Sequence, residues 1–337
     1  MRKTVLIALA ILMAFGSMSA AAQQPKKGKW VIALSNSYYG NMWRKQSVEA
    51  FEEAAKAAKA QGWIKDYVIV NGDGTQNTQI SQMNSLILKK VDAICINAAS
   101  PTALNGVIDQ AAKAGVKVLA FDSIVSTPSA WTMDFNFVEQ GEGGAQFVAD
   151  KLGGKGNVLI VRGVTGSAPD QDMYKGQMNV LAKYPNLKVV GTVYGEATTT
   201  VTQAAVANIL PSLPQVDAVL TQGGGDAYGA VQAFEAANRP MPIIIGDNSA
   251  EFIQWWMKKM NDGYSTYSIC SAPGIGGAAF WTALAILNKV DVPKKMSLKV
   301  IPITNANAKD FSTLKPGTLA SPTFTWDYVM EKIIKAK

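Results

Sequence analysis

Asn41, Trp43 and Arg44 stand within four residues of one another, directly after Tyr38 and Tyr39, and Asp122 and Asp247 each close a short apolar run further along the chain. An indole offers a flat apolar face, an amide both donates and accepts, and a guanidinium presents five N–H donors. Ionised carboxylates accept hydrogen bonds only, so two of them suit a ligand rich in hydroxyl donors. Each residue also has a plainer reading. Trp43 and Tyr39 would then be core side chains, Arg44 a solvated helix charge, and each aspartate the cap of the following helix.

The chain contains no histidine. That removes Ser-His-Asp and Cys-His catalysis, histidine general acids and nearly all histidine-bearing zinc sites. No metal and no cofactor is expected. Gly223, Gly224, Gly225 and Asp226 lie between an apolar run and a helical pattern, where a phosphate loop can sit, but the Gly-Lys-Ser/Thr ending and any G-x-G-x-x-G pattern are missing. The glycines there let the backbone approach something closely, and Asp226 caps the helix.

The elements that must position these residues follow from the apolar pattern. Residues 31–34 read as a buried strand, and Trp43, Ser47, Ala50, Phe51, Ala54 and Ala58 then fall on one face of a helix. The polar and aromatic residues thus sit in a strand-to-helix connection, the end at which open α/β sheets bind ligands. Further strands are expected at 67–70, 93–97, 116–121, 158–161, 188–193, 218–221, 243–245, 266–271 and 299–304. Helices are expected between them, with a last one at 326–335. Such alternation means parallel sheets covered by helices on both faces. With 337 residues there is enough chain for about two domains, and the extended piece at 131–136 marks a crossing. Asn97 ends another strand.

Arg2 and Lys3 precede an apolar run from Val5 to Phe15, and Ala20, Ala21 and Ala22 supply a small-residue cleavage pattern, so 1–22 reads as a signal peptide. No cysteine near the cleavage site offers a lipid anchor. The mature chain is expected in a bacterial periplasm, unanchored and monomeric. Its balance of 30 basic to 25 acidic residues is spread along the chain, which disfavours a nucleic-acid partner. Cys95 and Cys270 each lie in an apolar run and in different domains, so no disulfide is expected.

Taken in order, the pieces resemble the periplasmic solute-binding proteins of sugar ABC transporters, of the ribose- and galactose-binding type. Ile32 to Leu34 with Asn41-x-Trp43-Arg44, Val91 to Asn97, Val116 to Asp122, Ile245-Gly-Asp247 and Ile269 to Gly276 carry the likeness over essentially the whole mature chain. The resemblance implies two similar doubly wound parallel-sheet α/β domains joined by a three-segment hinge, with a sugar in the cleft. The lobes would be 26–134 plus 271–301 and 135–270 plus 302–337, with crossings near 134–136, 269–271 and 301–303. Asn41 and Trp43 match the family's first contact segment, Asp122 and Asp247 its two hydroxyl-binding aspartates, and Asn136 lies where the first crossing lines the cleft. Ser123, Met173 or its neighbours Asp170 and Asp172, Gly223 and Ser271 stand where relatives carry two arginines, an asparagine and a glutamine.

On this reading Trp43 covers a sugar face, Tyr39 walls it, Arg44 gives forked hydrogen bonds, and Asp122 and Asp247 accept from hydroxyls. The implied activity is capture of a monosaccharide or sugar alcohol and its delivery to a permease in the inner membrane. One alternative is a sensory sugar-binding protein for a chemoreceptor or sensor kinase. A less favoured one is a periplasmic carbohydrate-acting enzyme using the two aspartates.

Overall fold

A computed structural model describes residues 24–335; the expected leader at 1–22 lies outside the described residues. Buried apolar runs form the strands, and amphipathic stretches form the helices that cover them. In chain order they are β1 (Val31–Asn36), α1 (Met42–Ala60), β2 (Asp66–Asn71), α2 (Gln76–Leu88), β3 (Ala93–Asn97), α3 (Asn105–Lys113), β4 (Lys117–Phe121) and β5 (Trp131–Phe135). Then come α4 (Phe137–Lys151), β6 (Lys155–Arg162), α5 (Ala168–Leu181), β7 (Asn186–Tyr194), α6 (Thr199–Ile209), β8 (Ala218–Leu220), α7 (Asp226–Ala236), β9 (Ile243–Ile244) and α8 (Ala250–Met260). The last are β10 (Ser268–Cys270), α9 (Ile275–Leu287), β11 (Lys295–Leu298), β12 (Ile301–Ile303) and α10 (Trp326–Tyr328), which runs on into a π-helical stretch, Val329–Ile334.

The first sheet has the order β11-β5-β4-β3-β1-β2, every pair parallel. Apolar clusters cover both of its faces, one including Phe51 and Phe280, the other Met83 and Ile108. The second sheet, β7-β6-β8-β9, is also parallel, and a bridge from Gly246 to Ser268 extends it to the antiparallel pair β10-β12. Its faces are covered by a cluster around Phe234, Phe252 and Trp256 and by one around Val148, Ile160 and Val180. The adjacent Trp255 and Trp256 are packing residues, as the helical geometry of neighbouring positions requires.

The chain passes between the lobes at 135–137, 270–272 and 298–301, and once more at 320–324. Two short strands, β11 and β12, occupy the region read from sequence as one strand at 299–304, because the chain changes sheet between them. The assignment of all of 302–337 to the second lobe needs correction. Ala308 and Ala320 pack in the second lobe, but Phe324, Trp326, Val329, Met330 and Ile334 join the core of the first. Three indoles draw the tail back, with Trp326 at 6.4 Å from both Trp63 and Trp281 and those two at 6.1 Å. Burying three such rings together outweighs simple continuity of the chain.

Candidate functional site

The cleft between the lobes is built where β1, β4, β6 and β8 end. Asn41 is the N-cap of α1: its side chain accepts the Arg44 N–H at 2.8 Å, which fixes the first turn and faces Trp43 and Arg44 inward. Trp43 Nε1 donates to the Ser271 carbonyl at 2.8 Å, tying the start of α1 to the second crossing. Arg44 is only 4% exposed, yet its guanidinium makes one long bond to Asn36 Oδ1 at 3.4 Å and lies 4.0 Å from Asp122 Oδ2. Most of its five donors therefore remain for something else.

Asp122 sits just past β4 in a left-handed conformation, φ 58°, held by its N–H to the Met133 carbonyl at 2.8 Å. Its Oδ2 accepts from Asn97 Nδ2 at 3.1 Å. Burial pushes the carboxyl up to about 6, against the pull of Arg44 and of the Asn97 bond. Asp134, on β5, is likewise pushed up to about 6, by burial first and then by the charges of Asp122 and Asp172.

The opposite wall comes from the second lobe. Asp170, in the first turn of α5, receives a fork from Arg162, with Nε on Oδ1 at 2.8 Å and Nη2 on Oδ2 at 2.6 Å. The guanidinium is flanked by the rings of Tyr174 at 4.1 Å and Tyr194 at 5.4 Å. Gln222 braces the same corner, accepting from the Gly163 N–H and donating to the Asp170 carbonyl. Beside it Gly223, Gly224 and Gly225 take φ values of 133°, 68° and 118°, so the loop after β8 lies with its backbone against the cleft.

Of the residues expected at the site, Asn41, Trp43, Arg44, Asp122, Asp170, Gly223 and Ser271 line this one cleft. Three do not. Tyr39 is exposed and lies outside the lining. Asn136 caps α4, accepting the Glu139 N–H at 3.1 Å, and borders a separate recess with Glu139 and Tyr267. Asp247 is fully buried beneath the glycine loop, its Oδ2 accepting the N–H groups of Gly225 and Ala227 and its Oδ1 those of Ser249 and its hydroxyl. Its equivalence to Asp122 in strand-end position does not extend to chemistry: one carboxylate is half-used, the other saturated. Among the side chains that sequence reasoning passed over are Arg162, which braces Asp170, and Phe137 and Cys270, which line the cleft. Arg162 had a signal, a charge closing an apolar strand at the ligand-binding end. Cys270 is a buried free thiol, and burial raises it well above its ordinary range, so it meets the cleft as a small apolar group.

A periplasmic binding protein domain model matches residues 32–290. The chain belongs to the periplasmic binding protein family. A solved ABC transporter solute-binding protein from Thermobispora bispora is 39% identical with a TM-score of 0.86, over 91% of this chain and 95% of that one. A xylitol-binding protein of Mycolicibacterium smegmatis is 33% identical over 177 residues, 52% of this chain and about half, 51%, of that protein. A ribose import binding protein of Haemophilus influenzae is 22% identical over 89% of this chain and 99% of its own length. The fold is the type I architecture of such proteins, two α/β lobes about a cleft, and the matched relatives are binding proteins.

In this periplasmic binding protein the role of Asp247 is to hold the glycine loop in place. Asp247→Asn turns an NH₂ group toward N–H donors and is expected to destabilise the fold by about 2 kcal/mol, the scale of hydrogen bonds to a charged acceptor. Urea denaturation measures it; an unchanged midpoint would show the loop to be held by other contacts.

Proposed function

We propose that the protein is a periplasmic solute-binding protein that captures a monosaccharide or sugar alcohol in this cleft and delivers it to an ABC permease. One observation carries the reading: a buried Arg44 with unused donors and a half-used Asp122 stand beside the Trp43 indole, inside a cleft between two lobes. Arg44 donates to ring or hydroxyl oxygens, Asp122 accepts from hydroxyls, and the indole covers an apolar face of the ligand. Contacts from both lobes favour the closed arrangement, so the ligand itself drives closure about the crossings. The names of the relatives, xylitol- and ribose-binding proteins among them, support the ligand class. The leader expected at 1–22 supports export to the periplasm, and the receptor is taken to act as a monomer without a catalytic step.

Thermal melting of the mature protein against pentoses, hexoses and sugar alcohols tests the proposal. A ligand at a hundred times its dissociation constant adds about 2.7 kcal/mol, a shift of several degrees. At least one sugar or polyol should give it, and no shift with any of them would overturn the assignment.

A further inference from the structure

The two walls of the cleft differ in chemistry. The first lobe supplies Asn41, Arg44 and Asp122, with donors and acceptors to spare. The facing wall presents Val164, Pro169 and Ala197 of the second lobe, with Phe137 and Met173, whose side chains also pack into the first lobe's core. Its polar side chains are already committed to bracing. Ser167 donates to the Val164 carbonyl and accepts the Asp170 N–H, and Gln222 spans Gly163 and Asp170. Asp170 keeps spare lone pairs, and the glycine loop keeps the N–H groups of Gly223 and Gly224, so hydroxyls that reach this corner can be met. A hydroxyl turned instead toward Met173 and Val164 meets apolar side chains.

We infer that the preferred ligand is deoxygenated on the edge that meets the second lobe: a 6-deoxyhexose whose methyl group seats against Met173, Val164 and Ala197. The inference rests on the receptor reading above and narrows its ligand class. A methyl group there gains the burial of an apolar carbon, worth roughly fourfold in affinity, while an unpaired buried hydroxyl loses fivefold or more.

The test is calorimetric titration of the mature protein with sugar series that differ only at that carbon. L-fucose, L-galactose and D-arabinose carry methyl, hydroxymethyl and hydrogen there; L-rhamnose, L-mannose and L-lyxose repeat the comparison, as do D-fucose, D-galactose and L-arabinose. In the series that binds, the methyl member should be tighter than the hydroxymethyl member by about fivefold or more and tighter than the hydrogen member by about fourfold. Met173→Gln, which places an amide at the apolar wall, should close most of the first gap. A hydroxymethyl or hydrogen member that binds as tightly as the methyl member overturns this inference, as does binding confined to sugar alcohols; both leave the receptor reading standing. A protein bound by no sugar and no polyol loses both.

Discussion

Asp122→Asn is expected to abolish ligand binding and, at the same time, to raise the melting temperature at pH 7 to 8. The carboxyl sits at 5% exposure with one hydrogen bond from Asn97 and a guanidinium 4.0 Å away, too far to bond. Those two influences and the Ser123 backbone N–H favour the charged form, but burial opposes it more strongly and holds the group up at about 6, against 3.8 for the free side chain. A raised carboxyl value means that the folded chain binds the proton more tightly than the unfolded one does. Unfolding free energy therefore falls as pH rises from about 4 to about 6, and the penalty is fully present above that window. Its size is on the order of 3 kcal/mol. Asparagine mimics the protonated form at every pH, so the variant gains several degrees at pH 8 and nothing at pH 4. An equal melting temperature at both pH values would refute the account.

The same imbalance explains why binding depends on this carboxylate. A group that lacks partners in the unliganded cleft is stabilised when ligand hydroxyls donate to it, which lowers its value in the complex. Binding then releases a proton, and affinity should weaken as pH falls from 7 to 5. In Asp122→Asn the loss should exceed a hundredfold, since a hydrogen bond to a charged, buried acceptor is replaced by a mismatched amide. Titration of the best ligand from the melting panel at three pH values measures both effects.

How far the sequence displays this site depends on the range of the interactions involved. The strand end at Asn36, the cap at Asn41 and the inward face of α1 are local patterns, and they bring Trp43 and Arg44 to the ligand-binding end of β1 while leaving open whether the two face a ligand or the core. The strand end at Asp122 is as readable. Asp247 carries the same local signal, yet the loop at 223–227 folds over it and takes Oδ2 while Ser249 takes Oδ1. Only the distance between two segments distant in sequence decides which aspartate faces a ligand. The return of the tail to the first lobe is of the same kind, since it follows from Trp326 meeting Trp63 and Trp281 rather than from any period in 302–337. Tyr39 shows the limit from the other side: four residues from Trp43, it faces solvent, because the connection turns between them at Gly40 and Asn41.

Arg162→Met is expected to cost about 3–5 kcal/mol of stability, the largest loss for any single change at the site that leaves the residues facing the ligand intact. The Asp170 side chain is 2% exposed and that of Arg162 14%, so the pair lies largely out of water. Two charges in that position are not in themselves a gain, because desolvating both roughly cancels their attraction. What is costly is removing one. Methionine fills much of the space between Tyr174 and Tyr194 but leaves a buried carboxylate with no counter-charge. Lysine should not restore it, since a single ammonium cannot supply the two parallel bonds at 2.8 and 2.6 Å or lie flat against the tyrosine ring. Adding Asp170→Asn to Arg162→Met removes the stranded charge and should recover at least half of the lost stability. Chemical denaturation of the two single variants and the double variant gives the coupling directly. A double variant as unstable as the sum of its parts would show that Arg162 acts through its tyrosine contacts and not through Asp170.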